Sequence, residues 1–162
     1  MTPAPATARA AARAVDALAT LVNAAGVPNP AISVEQCHTI LASVASFLAV
    51  DDANMQAAAS KFVGELAKVQ LLEDAVADDR DARVESLSQL LRSKHQRVRA
   101  NAAQCVANLA LHPEYTQVLG RSATVGPLLR LVAPASDLDV RQHAGRAIAN
   151  LAANRELAHY AA

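Results

Sequence analysis

The sequence predicts an all-α protein built by stacking helical repeats, and two observations carry that prediction. The segment VRANAAQCVANLA at 98–110 recurs as VRQHAGRAIANLA at 140–152, forty-two residues later, and more faintly as MQAAASKFVGELA at 55–67. Self-similarity at such a period marks a solenoid, whose function lies on a surface rather than in a pocket. Composition agrees: 52% of residues are hydrophobic but only 2% aromatic, with no Trp, two Tyr and two Phe. The core must therefore be Ala, Leu and Val in closely packed helices. At about 42 residues per unit, the 162-residue chain holds three units plus incomplete ends.

Taken in order, residues 1–6 carry Pro3 and Pro5 and read as a disordered start. Residues 7–24 read as a helix whose stripe Val15, Leu18, Leu21 and Val22 packs on the next unit. The same segment has Arg9 and Arg13 one turn apart and no acidic residue before Asp16, which also suits an organelle transit peptide. Both readings stay open. Asp16 and Asn23 interrupt the apolar stretch a secretory signal requires.

Three units follow, at roughly 29–67, 68–110 and 111–153. Each ends in a long helix. In the middle copy Val98, Ala102, Cys105 and Leu109 fall at gaps of four, three and four, on one helix face. The same stripe is Val140, Ala144, Ala147 and Leu151 in the later copy and Met55, Ala59, Phe62 and Leu66 in the earlier one. A second stripe of small residues recurs as Ser60, Val63 and Ala67, as Ala103, Val106 and Ala110, and as Gly145, Ile148 and Ala152. Small residues let a helix sit between two copies of itself.

Upstream of each long helix lies a shorter Leu-rich one: Val44, Phe47 and Leu48 match Leu87, Leu90 and Leu91, then Leu128, Leu131 and Val132. Pro113 stands where a first-turn proline belongs, and Gly126–Pro127 marks another helix start. Each unit is thus a short, a medium and a long helix. The final residues, ANRELAHYAA at 153–162, read as the opening helix of a further unit, placing a partial helix at 154–162.

The run PEYTQVLGR at 113–121, GPLLRLV at 126–132 and DVRQHAGRAIANLAAN at 139–154 resembles the successive three helices of the armadillo repeat family, as does LSQLLRSKHQRVRANAAQCVANLA at 87–110. Residues 44–67 resemble it more faintly, and 7–24 look like a lone third helix. HEAT-type arrays are the nearest alternative, but their units are shorter pairs of helices. The resemblance implies a right-handed α-solenoid of about three repeats, with partial units at both ends, whose third helices line a concave groove for extended partner peptides.

Opposite the core stripe runs a polar ladder that would face this groove: Asn54, Ala58, Lys61 and Glu65; Arg97, Asn101, Gln104 and Asn108; Asp139, His143, Arg146 and Asn150. From periodicity alone the same face is equally the solvated side of an amphipathic helix. Asn is a poor helix former, and the family's asparagine at the position of Asn108 and Asn150 contacts the backbone of bound peptide, so the resemblance implies that role for both. Nuclear-import members carry a Trp four residues earlier; here Gln104 and Arg146 stand there, which argues against basic nuclear-localisation peptides. The expected groove residues are Lys61, Glu65, Arg97, Asn101, Gln104, Asn108, His143, Arg146 and Asn150, and their charge favours an acidic or mixed-charge peptide.

Other function classes find little support. Fifteen basic residues balance fifteen acidic ones, giving no electrostatic case for nucleic acid, and charged residues interrupt every apolar run long enough for membrane insertion. No catalytic motif is present, Asp78, Asp79 and Asp81 lack calcium-loop spacing, and His38, His95, His112, His143 and His159 never fall one helical turn apart. No enzyme activity, metal or cofactor is expected. Cys37 and Cys105 read as buried apolar side chains in a reducing compartment, the cytoplasm, or an organelle matrix if residues 1–24 are a transit peptide. The sequence therefore points to a protein-binding scaffold or adaptor. The alternative is a structural subunit packing through its repeat ends, by self-association or against a further subunit, because uncapped ends expose an apolar stacking surface.

Overall fold

A computed structural model describes residues 9–11, 13–15, 43–44, 46–67, 80–121 and 123–160. Among them there are helices and turns and no strand. Residues 1–8, 16–42 and 68–79, and with them Leu18, Leu21 and Val22 of the expected first stripe, Cys37, His38 and the Asp78–Asp79 pair, lie outside the described residues.

The 3-10 turn Phe47–Ala49 precedes α1 (Ala53–Leu66). Then follow α2 (Arg80–Leu90), α3 (Gln96–Leu109), α4 (Pro113–Arg121), α5 (Val125–Leu131) and α6 (Leu138–Tyr160). The long helices α1, α3 and α6 stack in sequence order, and the shorter helices pack behind them. In the last unit α4, α5 and α6 have 9, 7 and 23 residues, so the third helix is long as expected but the second is shorter than the first. The first-unit Leu-rich segment departs from regular α-helix, ending in the 3-10 turn.

Local chemistry sets the helix ends. Asp52 caps α1 by accepting from the backbone N–H groups of Asn54 and Met55, each at 2.9 Å. Pro113 opens α4, where its missing N–H costs no helical bond. Helix α5 begins at Val125, two residues before Pro127, which still falls in the first turn, where N–H groups have no intrahelical acceptor.

Helix α6 runs unbroken to Tyr160, so residues 154–160 continue the last long helix instead of opening another unit. One substitution explains the difference. Forty-two residues after Pro113, which follows the end of α3, stands Arg155, a good helix former with no steric reason to stop the helix.

The core stripe is buried in all three copies: Met55, Ala59 and Phe62; Val98, Ala102, Cys105 and Leu109; Val140, Ala144, Ala147 and Leu151. Helices α1 and α3 approach closely at Gly64. A Cβ on Gly64 would sit 3.2 Å from the Cys105 Cα, so only glycine fits there without displacing backbone. Of the matched Leu-rich triplets, Leu87, Leu90 and Leu91 are buried, as are Leu128 and Leu131, whereas Val132 is exposed.

Candidate functional site: the polar face of the long helices

The ladder residues differ in exposure, each helix being most open at its N-terminal rung and more covered at its C-terminal one. Near the N-terminal ends Asn54, Arg97 and Asp139 are exposed. One turn on, Ala58 is buried while Asn101 and His143 are half-buried. Lys61 and Gln104 are half-buried and Arg146 is exposed; at the C-terminal ends Glu65 and Asn108 are buried and Asn150 half-buried. The open part of the face is therefore formed by Asn54, Arg97, Asp139 and Arg146, with Lys61, Asn101, Gln104, His143 and Asn150 half-buried beside them.

The asparagines are held by hydrogen bonds between repeats. Asn101 Nδ2 donates to Ala57 O, Asn108 Nδ2 to Gly64 O and Asn150 Nδ2 to Ala107 O, each at 2.8 Å. Each amide thus reaches back to a carbonyl of the preceding long helix. A second clamp sits one turn later: His112 places Nε2 against Ala67 O, which requires the ring proton on that nitrogen, and Asn154 Nδ2 donates to Ala110 O. His112 and Asn154 are forty-two residues apart, and so are Asn108 and Asn150. The sequence signal for the second clamp was this spacing, obscured because the two residue types differ.

Arg146 joins two rungs by donating from Nη2 to Asn108 Oδ1 at 2.8 Å. Asn108 is thereby satisfied at both ends of its amide inside the protein. Asn101 and Asn150 use one amide hydrogen for stapling, and an amide carries a second donor and an acceptor. Burial and the neighbouring Arg146 push the His143 imidazole below its usual pKa, against the opposing pull of Asp139, so it is neutral at pH 7. Because an unfolded chain takes up this proton first, acidification through the ordinary histidine range works against the folded state.

Behind the face lies a polar cluster that no sequence pattern announced. Arg83 is buried in α2 and donates from Nη1 to the Tyr115 hydroxyl at 3.0 Å, while the Arg80 guanidinium lies 5.2 Å from the centre of the Tyr115 ring. Burial raises the Tyr115 pKa, more than the two arginines lower it, so its phenol remains a neutral acceptor. The cluster ties α2 to α4. Desolvation likewise pushes the Cys105 thiol pKa up, which leaves an inert apolar side chain. Among the described residues no group of three metal-ligating side chains comes together, and no helix is long and apolar enough to cross a membrane.

No family model and no curated protein matches the chain. Solved structures do. A designed armadillo repeat protein is similar over 88% of this chain and 58% of its own, with a TM-score of 0.68 and 24% identity. Two engineered proteins solved by a structural genomics consortium match with TM-scores of 0.69 and 0.66, at 23% and 21% identity. They cover 87% and 86% of this chain and 56% of their own. The chain thus spans a little over half the length of these structures. The fold is an armadillo-like repeat solenoid.

Proposed function

We propose that this armadillo-like array is a non-catalytic scaffold that binds an extended, acidic or mixed-charge segment of a partner protein across α1, α3 and α6. Packed helices lie about 10 Å apart, so the face spans about 20 Å, the length of about six extended residues. The observation that carries the reading is the pair Arg97 and Arg146, both exposed on the open part of the face on successive long helices. Guanidinium groups bind carboxylates in bidentate geometry and are among the side chains that dominate interface energetics. The amides of Asn101 and Asn150, oriented by their bonds to Ala57 and Ala107, supply further polar groups for a peptide backbone.

The test is fluorescence anisotropy with a library of short acidic and basic peptides, comparing wild type with Arg97→Glu/Arg146→Glu. Acidic peptides lose about tenfold or more in affinity at low salt, and the loss shrinks as salt screens the charges. Affinity unchanged by the double reversal at low salt refutes the reading. Arg146→Glu also removes the bond to Asn108, so Arg97→Glu alone is the control for an indirect effect.

A further inference from the structure

Arg83 is 6% exposed, although an arginine keeps its charge wherever it sits. Its Nη1 donates to the Tyr115 hydroxyl on α4 at 3.0 Å, and its charge acts on the Cys105 thiol of α3. One turn earlier on α2, Arg80 holds its guanidinium 5.2 Å from the centre of the Tyr115 ring. Two like charges thus converge on one neutral phenol. Among the described residues no carboxylate lies within ion-pair distance of either arginine. Of the acids beside them on α2 and α4, Asp81 and Glu85 are exposed and Glu114 lies 3.9 Å from His112.

The donors left over say what fits. A guanidinium grips an oxyanion through two parallel N–H groups along one edge of its fork, an edge that includes Nε–H. In Arg83 the phenol occupies Nη1, while Nε is buried without a hydrogen-bond partner; Arg80 Nε is buried and unpartnered as well. A buried cation that meets only a neutral hydroxyl leaves much of its desolvation cost uncompensated, and an anion shared by the two guanidiniums offsets it.

Stacking does not call for this arrangement. Matched through the Leu-rich triplets, the positions of Arg80 and Arg83 are Cys37 and Ile40 in the earlier unit and Arg121 and Thr124 in the later one, so only the second unit has arginine at both. We infer that Arg80 and Arg83 form a binding site for a phosphate-class oxyanion, walled by the Tyr115 ring and reached from the side of the half-buried Arg80. A phosphate group carries about two negative charges near pH 7 and three acceptor oxygens for two guanidiniums to share, against one charge on a carboxylate. The site uses none of the residues of the proposed peptide face.

The experiment titrates inorganic phosphate into the full chain, with chloride at matched ionic strength as the reference, and follows the 15N–1H signals of the arginine Nε–H groups. Phosphate shifts the Arg80 and Arg83 signals and raises the Tm, as a ligand of the folded state does. Arg80→Gln, and Arg83→Lys, which keeps the charge but lacks the Nε–H edge, each weaken binding by about tenfold or more. Arg130→Gln, an exposed arginine on α5, leaves it unchanged. If Arg83→Lys does not fold, Arg80→Gln and the wild-type signals still decide. A parallel arm with phenyl phosphate identifies the source: equal binding marks the end group of a larger ligand, and exclusion marks the free anion. Arginine signals that phosphate moves no more than chloride does, binding unchanged in Arg80→Gln, or acetate binding as tightly as phosphate overturns the inference.

Discussion

The second and last units present the same surface in two environments. On α2 and α3 that surface lies beneath the following unit, with Leu91 and Val106 out of contact with water; on α5 and α6 the matching Val132 and Ile148 face outward or nearly so. Inside the array, apolar positions are stabilised by burial and each asparagine amide meets a carbonyl of the neighbouring helix. On the last unit the apolar positions are less covered, although Asn150 still donates to Ala107 O.

The largest expected effect breaks this comparison at its apolar part. Leu91→Ala removes a fully buried side chain and costs about 2–5 kcal/mol of stability, whereas Val132→Ala in dilute solution costs less than about 1 kcal/mol. Urea denaturation of the two variants measures the gap. Equal losses would mean that stacking does not bury the interior position more deeply.

The next effect probes the clamp. Asn108→Ala takes a donor from Gly64 O and an acceptor from Arg146 at a buried site, for a loss of about 1–3 kcal/mol. A double-mutant cycle with Arg146→Ala isolates the contact between those two side chains; additive losses would deny that Arg146 and Asn108 act together. For the same reason Asn108 is a poor probe of peptide binding, because its substitution weakens the array itself.

The smallest effect changes sign. Gly145→Ala gains helix propensity with no atom within 4 Å of the new methyl group, and stabilises by about 0.5–1 kcal/mol. Gly64→Ala gains the same propensity but forces a methyl to 3.2 Å from the Cys105 backbone, so it destabilises. Thermal melts of the pair give opposite shifts in Tm; shifts of the same sign would place the α1 to α3 contact further apart than the structure has it.

Much of the molecule was legible in its periodicity. The stripe Val98, Ala102, Cys105 and Leu109 specified a buried helix face, and its copies specified where the next helices lie. Breaker chemistry located the start of α4 at Pro113, but the same habit of reading misplaced a boundary at 154, where Arg155 stands in place of proline and the helix continues. The polar ladder was legible as a face and illegible as chemistry. Nothing in the spacing of Asn101, Asn108 and Asn150 says whether an amide points to solvent, to a ligand or to the neighbouring helix. Arg83 is harder still: arginine is the residue expected outside, and its hydrogen-bond acceptor, the hydroxyl of Tyr115, lies thirty-two residues away in sequence.

By itself, then, the sequence determined the fold class, the order of the units and which side of each long helix is apolar, because a period of 3.6 nested within one of forty-two leaves few ways to bury Ala, Leu and Val. Tertiary structure alone decided which of those residues are covered. Val84 and Val125 are the same residue at matching positions, one buried within its helix and one exposed at the start of its helix. It also decided that the asparagines hold the repeats together, since a hydrogen bond across more than forty residues depends on how closely two helices approach, a distance no local pattern encodes.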